Sequence, residues 1–106
     1  MDLNKVKTYI NFAKKSKSIV FGVDDIVKSS RVKIIVLSDS LADNSKQKID
    51  KISQTKNTYK VELDKNLFFE LMQNDSIKIF AITDANLAKA IKLNLLTEVS
   101  NGGNLE

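Results

Sequence analysis

Four aspartates, Asp24, Asp39, Asp64 and Asp84, follow closely on apolar runs that suit β-strands. In a doubly wound sheet such strand ends can meet at one rim, where paired carboxylates hold magnesium or act as acid and base. A helix takes its capping and first-turn acids at the same positions, so each aspartate also has a purely structural use. A second chemistry is offered by residues 18–31, S-I-V-F-G-V-D-D-I-V-K-S-S-R. Ile19, Val20 and Phe21 suit a short strand, Gly22 permits a tight turn, and Asp24 and Asp25 fall in the first turn of a helix. Lys28 projects one turn further along it. A strand, a glycine and a helix start leave the amides of Val23, Asp24 and Asp25 free to meet a phosphate. An ordinary strand-to-helix turn would carry the same residues.

Other chemistries are removed by composition. The 106 residues contain no cysteine and no histidine. Disulfides, thiolate and imidazole metal ligands, and Ser-His-Asp or Cys-His nucleophile arrangements are excluded with them. Neither G-x-G-x-x-G nor G-x-x-x-x-G-K-[ST] occurs, and the adjacent glycines, Gly102 and Gly103, lie near the C-terminus, so no nucleotide cofactor is expected. Phe12, Phe68, Phe69 and Phe80 sit in elements where core packing is their ordinary use. There is no hydrophobic signal region or long apolar span, which points to a soluble cytoplasmic protein.

The net charge of +4 is unevenly distributed. Residues 1–33 carry eight Lys/Arg against three Asp, and residues 34–106 carry nine against ten acids. A basic N-terminal third attracts polyanions, although lysine-rich helices also serve as solvated faces. Sixteen of the seventeen cations are lysine, which favours phosphate contact over the bidentate base reading of arginine.

The elements that must position these residues follow from periodicity. Leu3, Val6, Ile10 and Ala13 recur at helical spacing, predicting a helix over 2–15 with Asp2 as a possible cap and lysines on its far side. Residues 32–37 form an apolar run broken by Lys33, expected as a strand buried on both faces. Leu41, Ser45, Ile49 and Ile52 mark a third helix, and residues 58–62 alternate as an edge strand does. Leu67, Phe68, Leu71 and Met72 form a short fourth helix, and residues 77–82 a central strand. Thr83 or Asp84 then caps a last helix carrying Leu87, Ala88, Ile91 and Leu95. The result is an α/β sandwich, a four-stranded sheet between two helical layers, in a single domain over 1–97 with a flexible tail over 98–106.

In this order the elements resemble the kink-turn RNA-binding ribosomal family of the L-seven-Ae and L-thirty-e type, most closely its bacterial YlxQ-like branch. The resemblance covers roughly residues 5–95. It rests on F-A-K-K-S-K-S-I-V-F-G ahead of the second helix, on Gly22 with Lys28 six residues later, on K-I-I-V-L-S-D-S, and on I-F-A-I-T-D-A-N-L-A-K-A-I. It implies a three-layer α/β/α sandwich with a mixed sheet. It also implies that the glycine and the first turn of the second helix meet the sheared purine pairs of a kinked RNA, while an apolar loop after the last strand packs on an extruded base. Carried over by position, these contacts fall on Gly22, Asp24, Asp25 and Lys28, and on Thr83, Asp84 and Ala85. Archaeal and eukaryotic members carry Asn-Glu where this chain has Asp24-Asp25, so the amide donor that reads a purine edge is absent at Asp24.

The expectation is therefore a non-enzymatic, monomeric RNA-binding protein without metal, cofactor, membrane or small-molecule substrate. One rim of Gly22, Asp25, Lys28, Thr83 and Ala85 would dock on structured, ribosomal RNA, with Lys14, Lys15 and Lys17 supplying phosphate contacts. Two alternatives stand beside it: a protein-interaction domain that kept the fold and lost specific RNA binding, and an acid-dependent enzyme using Asp39 and Asp84.

Overall fold

A computed structural model describes residues 2–103, with side chains as far as Leu96. Helix α1 (Leu3–Lys15) begins at Asp2, whose carboxylate accepts the Lys5 amide at 3.1 Å, and buries Val6, Ile10 and Ala13. It ends where Lys17 turns left-handed at φ 58°. The Ser18 amide then reaches back to the Ala13 carbonyl and the Lys17 amide to that of Lys14, which satisfies the last turn. Strand β1 (Ile19–Phe21) follows, and Gly22 at φ 87° opens the short α2 (Val23–Lys28).

Strand β2 (Ile34–Ser38) is buried throughout. It starts two residues later than the apolar run suggests, and the Lys33 amide pairs instead with the Ile82 carbonyl. Helix α3 (Asp43–Thr55) ends as α1 does, with Asn57 left-handed at φ 52° and the Thr58 amide on the Ser53 carbonyl. Strand β3 (Tyr59–Leu63) leads to α4 (Lys65–Met72), which is capped by Asp64. Strand β4 (Ile79–Ile82) is again wholly buried, and α5 (Ala85–Gly103) closes the chain. The tail expected from 98 falls on the last turns of α5, beyond the described side chains, and on 104–106, outside the described residues.

The sheet order is β1-β4-β2-β3, with β2 parallel to β3 and β4 antiparallel to both of its neighbours. Alternation along the central strands feeds two cores. Ile34, Val36, Phe80 and Ile82 pack with α1, α4 and α5; Ile35, Leu37, Ile79 and Ala81 pack with Ile26 of α2 and Ile49 of α3. This is the expected α/β/α sandwich. The antiparallel run of β4 follows from the end of α4. Gln73 turns left-handed at φ 56°, and residues 74–78 bring the chain back beside Lys65 and Asn66, where α4 began.

Candidate nucleic-acid interface

Because β4 opposes the other three strands, the residues after β1 and after β4 emerge at opposite rims. Ile19 is level with Ile82 and Phe21 with Phe80, and the Thr83 amide donates to the Ser18 carbonyl at 2.8 Å. Gly22 leaves β1 at its other end, four residues or about 13 Å away along the strand. The single rim expected from Gly22, Asp25, Lys28, Thr83 and Ala85 does not form. Gly22, Asp24 and Asp25 stand at one rim; Thr83, Asp84 and Ala85 stand at the other. Lys14, Lys15 and Lys17, at the end of α1, lie with Thr83 rather than with Gly22. So does Lys28, the last residue of α2, about 9 Å from Gly22 along the helix.

At the Gly22 rim the backbone is uncovered. Gly22 is exposed, and a Cβ there would meet nothing within 4 Å. Beside it runs an open groove of about 370 Å³ lined by Phe21, Val23, Leu41, Ile77 and Ile79, with Ser76 and Lys78 at its edge. The loop that meets Gly22 is thus the one before β4. It is braced by Asn74, whose side-chain oxygen accepts the Ser76 amide at 2.9 Å and the Ser76 hydroxyl at 2.6 Å, and it joins the sheet through the Ser38 amide on the Lys78 carbonyl. Sequence reasoning missed this loop by extending the strand back to Ile77. The Asn74-Asp75-Ser76 cluster was the available signal, because such residues bond to their own backbone and end regular structure. A wider, more polar cleft of about 570 Å³ lies on the far side of the loop, against α4.

The acids do not assemble as a catalytic set would need. Asp39 accepts the Lys65 amide at 3.1 Å, Asp64 accepts those of Asn66 and Leu67, and Asp84 accepts that of Leu87 at 2.9 Å. Each therefore serves a helix start. Asp39 follows β2 and Asp84 follows β4, which separates them to opposite rims. Among the described residues, no three acidic side chains come close enough together to hold a metal ion. No helix among them is long and apolar enough to cross a membrane.

At the Thr83 rim, Lys33, Ala85, Ala88 and Lys89 line one shallow depression with Tyr59, over whose ring the Lys92 ammonium sits at 4.2 Å. Lys56 donates to the Val27 and Ser29 carbonyls and so fastens the end of α2 to the end of α3. Arg31 and Lys33, in the same connection, are exposed.

No family model and no curated protein matches the chain. Among solved structures it is similar to one described as a protein with unknown function from Bacillus halodurans. The TM-score is 0.67 at 16% identity, over 83% of this chain and 97% of that one. At that identity the likeness bears on the fold.

Proposed function

We propose that this chain is a non-enzymatic RNA-binding protein of the kink-turn-binding type, docking the Gly22 rim on structured, ribosomal RNA. The observation that supports the reading is the pairing of an uncovered glycine turn with an apolar groove. Gly22 lets a base edge approach the chain closely, and Val23, Leu41 and Ile77 offer an apolar wall for an unstacked base. This arrangement replaces Thr83, Asp84 and Ala85 with Ile77 and Lys78 as the second contact to Gly22. Asp24 and Asp25 keep phosphates away from this turn, so recognition here is by shape and base contact.

The test is binding of a kink-turn oligonucleotide and of an unkinked duplex of equal length, each to the wild type and to Ile77→Asp. Ile77 is only partly buried but packs against the core, so the variant's circular dichroism spectrum and melting midpoint are compared with the wild type's first. The wild type should prefer the kinked RNA, and Ile77→Asp should lose that preference by about tenfold or more, the scale of one stacked base. Equal affinity of both proteins for both RNAs overturns the reading. Absence of all RNA binding leaves the protein-interaction alternative.

A further inference from the structure

The two rims differ in charge far more than the net charge suggests. The connections at the Thr83 rim carry Lys14, Lys15 and Lys17 before β1, and Lys28, Arg31 and Lys33 before β2. Lys56 before β3 and Lys89 near the start of α5 complete the set, and Asp84 is the acid among these segments. The opposite connections and adjoining helix starts carry Asp24, Asp25, Asp39, Asp43, Asp64 and Asp75 against Lys46, Lys65 and Lys78.

Helix ends explain part of this. Helices α1, α2 and α3 all finish at the Thr83 rim, and a cation in a last turn is favoured there. Lys14, Lys15 and Lys28 satisfy that need, and Lys56 is spent on backbone carbonyls. Lys17, Arg31, Lys33 and Lys89 remain. The first three lie outside any helix, and Lys89 stands in the second turn of α5, far from any helix C-terminus that would favour a cation. All four are exposed, and among the described residues none makes an ion pair. Lys17 occupies a left-handed position, φ 58°, where glycine would be unstrained.

The topology places these four residues at one rim of the sheet. Lys17 precedes β1 and Lys33 precedes β2, with β4 between them, so their backbones are about 10 Å apart, two strand spacings. Lys89 shares the depression beside Lys33. Ser16, Ser18, Ser30 and Thr83 belong to the same connections. Cations accompanied by small hydroxyl side chains on one rim are the groups that contact phosphate oxygens along a nucleic-acid backbone.

We propose that the Thr83 rim is a second RNA-contact face, which holds the sugar-phosphate backbone of a duplex segment through Lys17, Arg31, Lys33 and Lys89. The inference takes RNA as the ligand from the reading above but assigns a separate surface, so the protein holds two RNA segments at once, one by shape and one by charge.

The experiment uses the full chain, a kink-turn oligonucleotide and a plain RNA duplex. Duplex affinity should fall by roughly a hundredfold between 50 and 200 mM salt, as four phosphate contacts require. The variant K17A/R31A/K33A/K89A should lose most of that salt dependence, whereas the α3 control K48A/K51A should keep it. Protein saturated with the kinked oligonucleotide should still retard a fluorescent duplex in a native gel. An unchanged salt slope in the fourfold variant, or an equal loss in the α3 control, overturns the second face and leaves the groove reading untouched. Loss of kinked-RNA preference in Ile77→Asp with intact duplex binding separates the two surfaces. If Ile77→Asp changes nothing while the fourfold variant abolishes duplex binding, the groove reading fails and the second face stands. Failure to bind duplex beside binding of an acidic polypeptide also overturns it.

Discussion

The Gly22 rim and the Thr83 rim are opposite ends of one four-stranded sheet, yet they offer a ligand different things. Helices α2, α3 and α4 start at the Gly22 rim, and its acids other than Asp75 serve those starts or lie in their first turns. Its distinctive features are an open glycine turn and an apolar groove. Three helices end at the Thr83 rim, and its cations exceed what those ends require. Local helix electrostatics therefore account for most of the charge of one rim and a smaller part of the other. The surplus is the portion on which the proposed second RNA-contact face rests.

The comparison breaks most completely if β4 is disrupted, because its two ends belong to the two rims. Ile79 is 3% exposed in the core shared with α2 and α3, and Ile79→Asp would bury an unpaired charge. That costs several kcal/mol against a total stability of about 5–15 kcal/mol, so denaturant titration should show an unfolded or barely folded chain. A cooperative transition at the wild-type midpoint would mean that β4 is not the central strand.

The next effect sharpens the Gly22 rim alone. Asp24→Asn restores an amide donor and removes a negative charge beside the groove. Discrimination of kinked from plain RNA should improve by about 1–3 kcal/mol if one base contact is gained. Dissociation constants for the two RNAs measure it, and an unchanged ratio would remove Asp24 from the contact surface.

Gly22→Ala should destabilise the chain by about 1–3 kcal/mol. The cause is the backbone at φ 87° and not a clash, since the added methyl meets nothing within 4 Å. A midpoint equal to the wild type in chemical denaturation would show that the turn relaxes without loss.

The smallest expected effect has opposite signs in two measurements. Lys17→Gly relieves a left-handed side chain and should stabilise the fold by about 1 kcal/mol. It should also flatten the salt dependence of duplex binding by about one unit. Asn57→Gly, at the equivalent left-handed position after α3, should stabilise without touching the salt slope. Identical RNA behaviour of the two glycine variants would remove Lys17 from the second face.

Periodicity alone determined much of this molecule. Residues 32–37 and 77–82 read as central strands because successive residues were bulky and apolar, as in a strand covered on two faces, and the structure begins those strands two residues later, at Ile34 and Ile79. Asp2, Gly22, Asp64 and Asp84 marked helix starts because the free amides of a first turn need an oxygen or an open backbone beside them. The grouping of the candidate residues was decided only by tertiary structure. Strand direction is set by how α4 ends and how residues 73–78 return, and nothing in the period of β4 distinguishes a parallel from an antiparallel neighbour. Reversing that one strand sent Thr83 to Lys17 and Lys33 and brought Ile77 to Gly22. A pattern of residues fixes which face of a strand is buried, because side chains alternate by local geometry. Which ends meet depends on contacts between segments distant in the chain, and those are made only when the sheet closes.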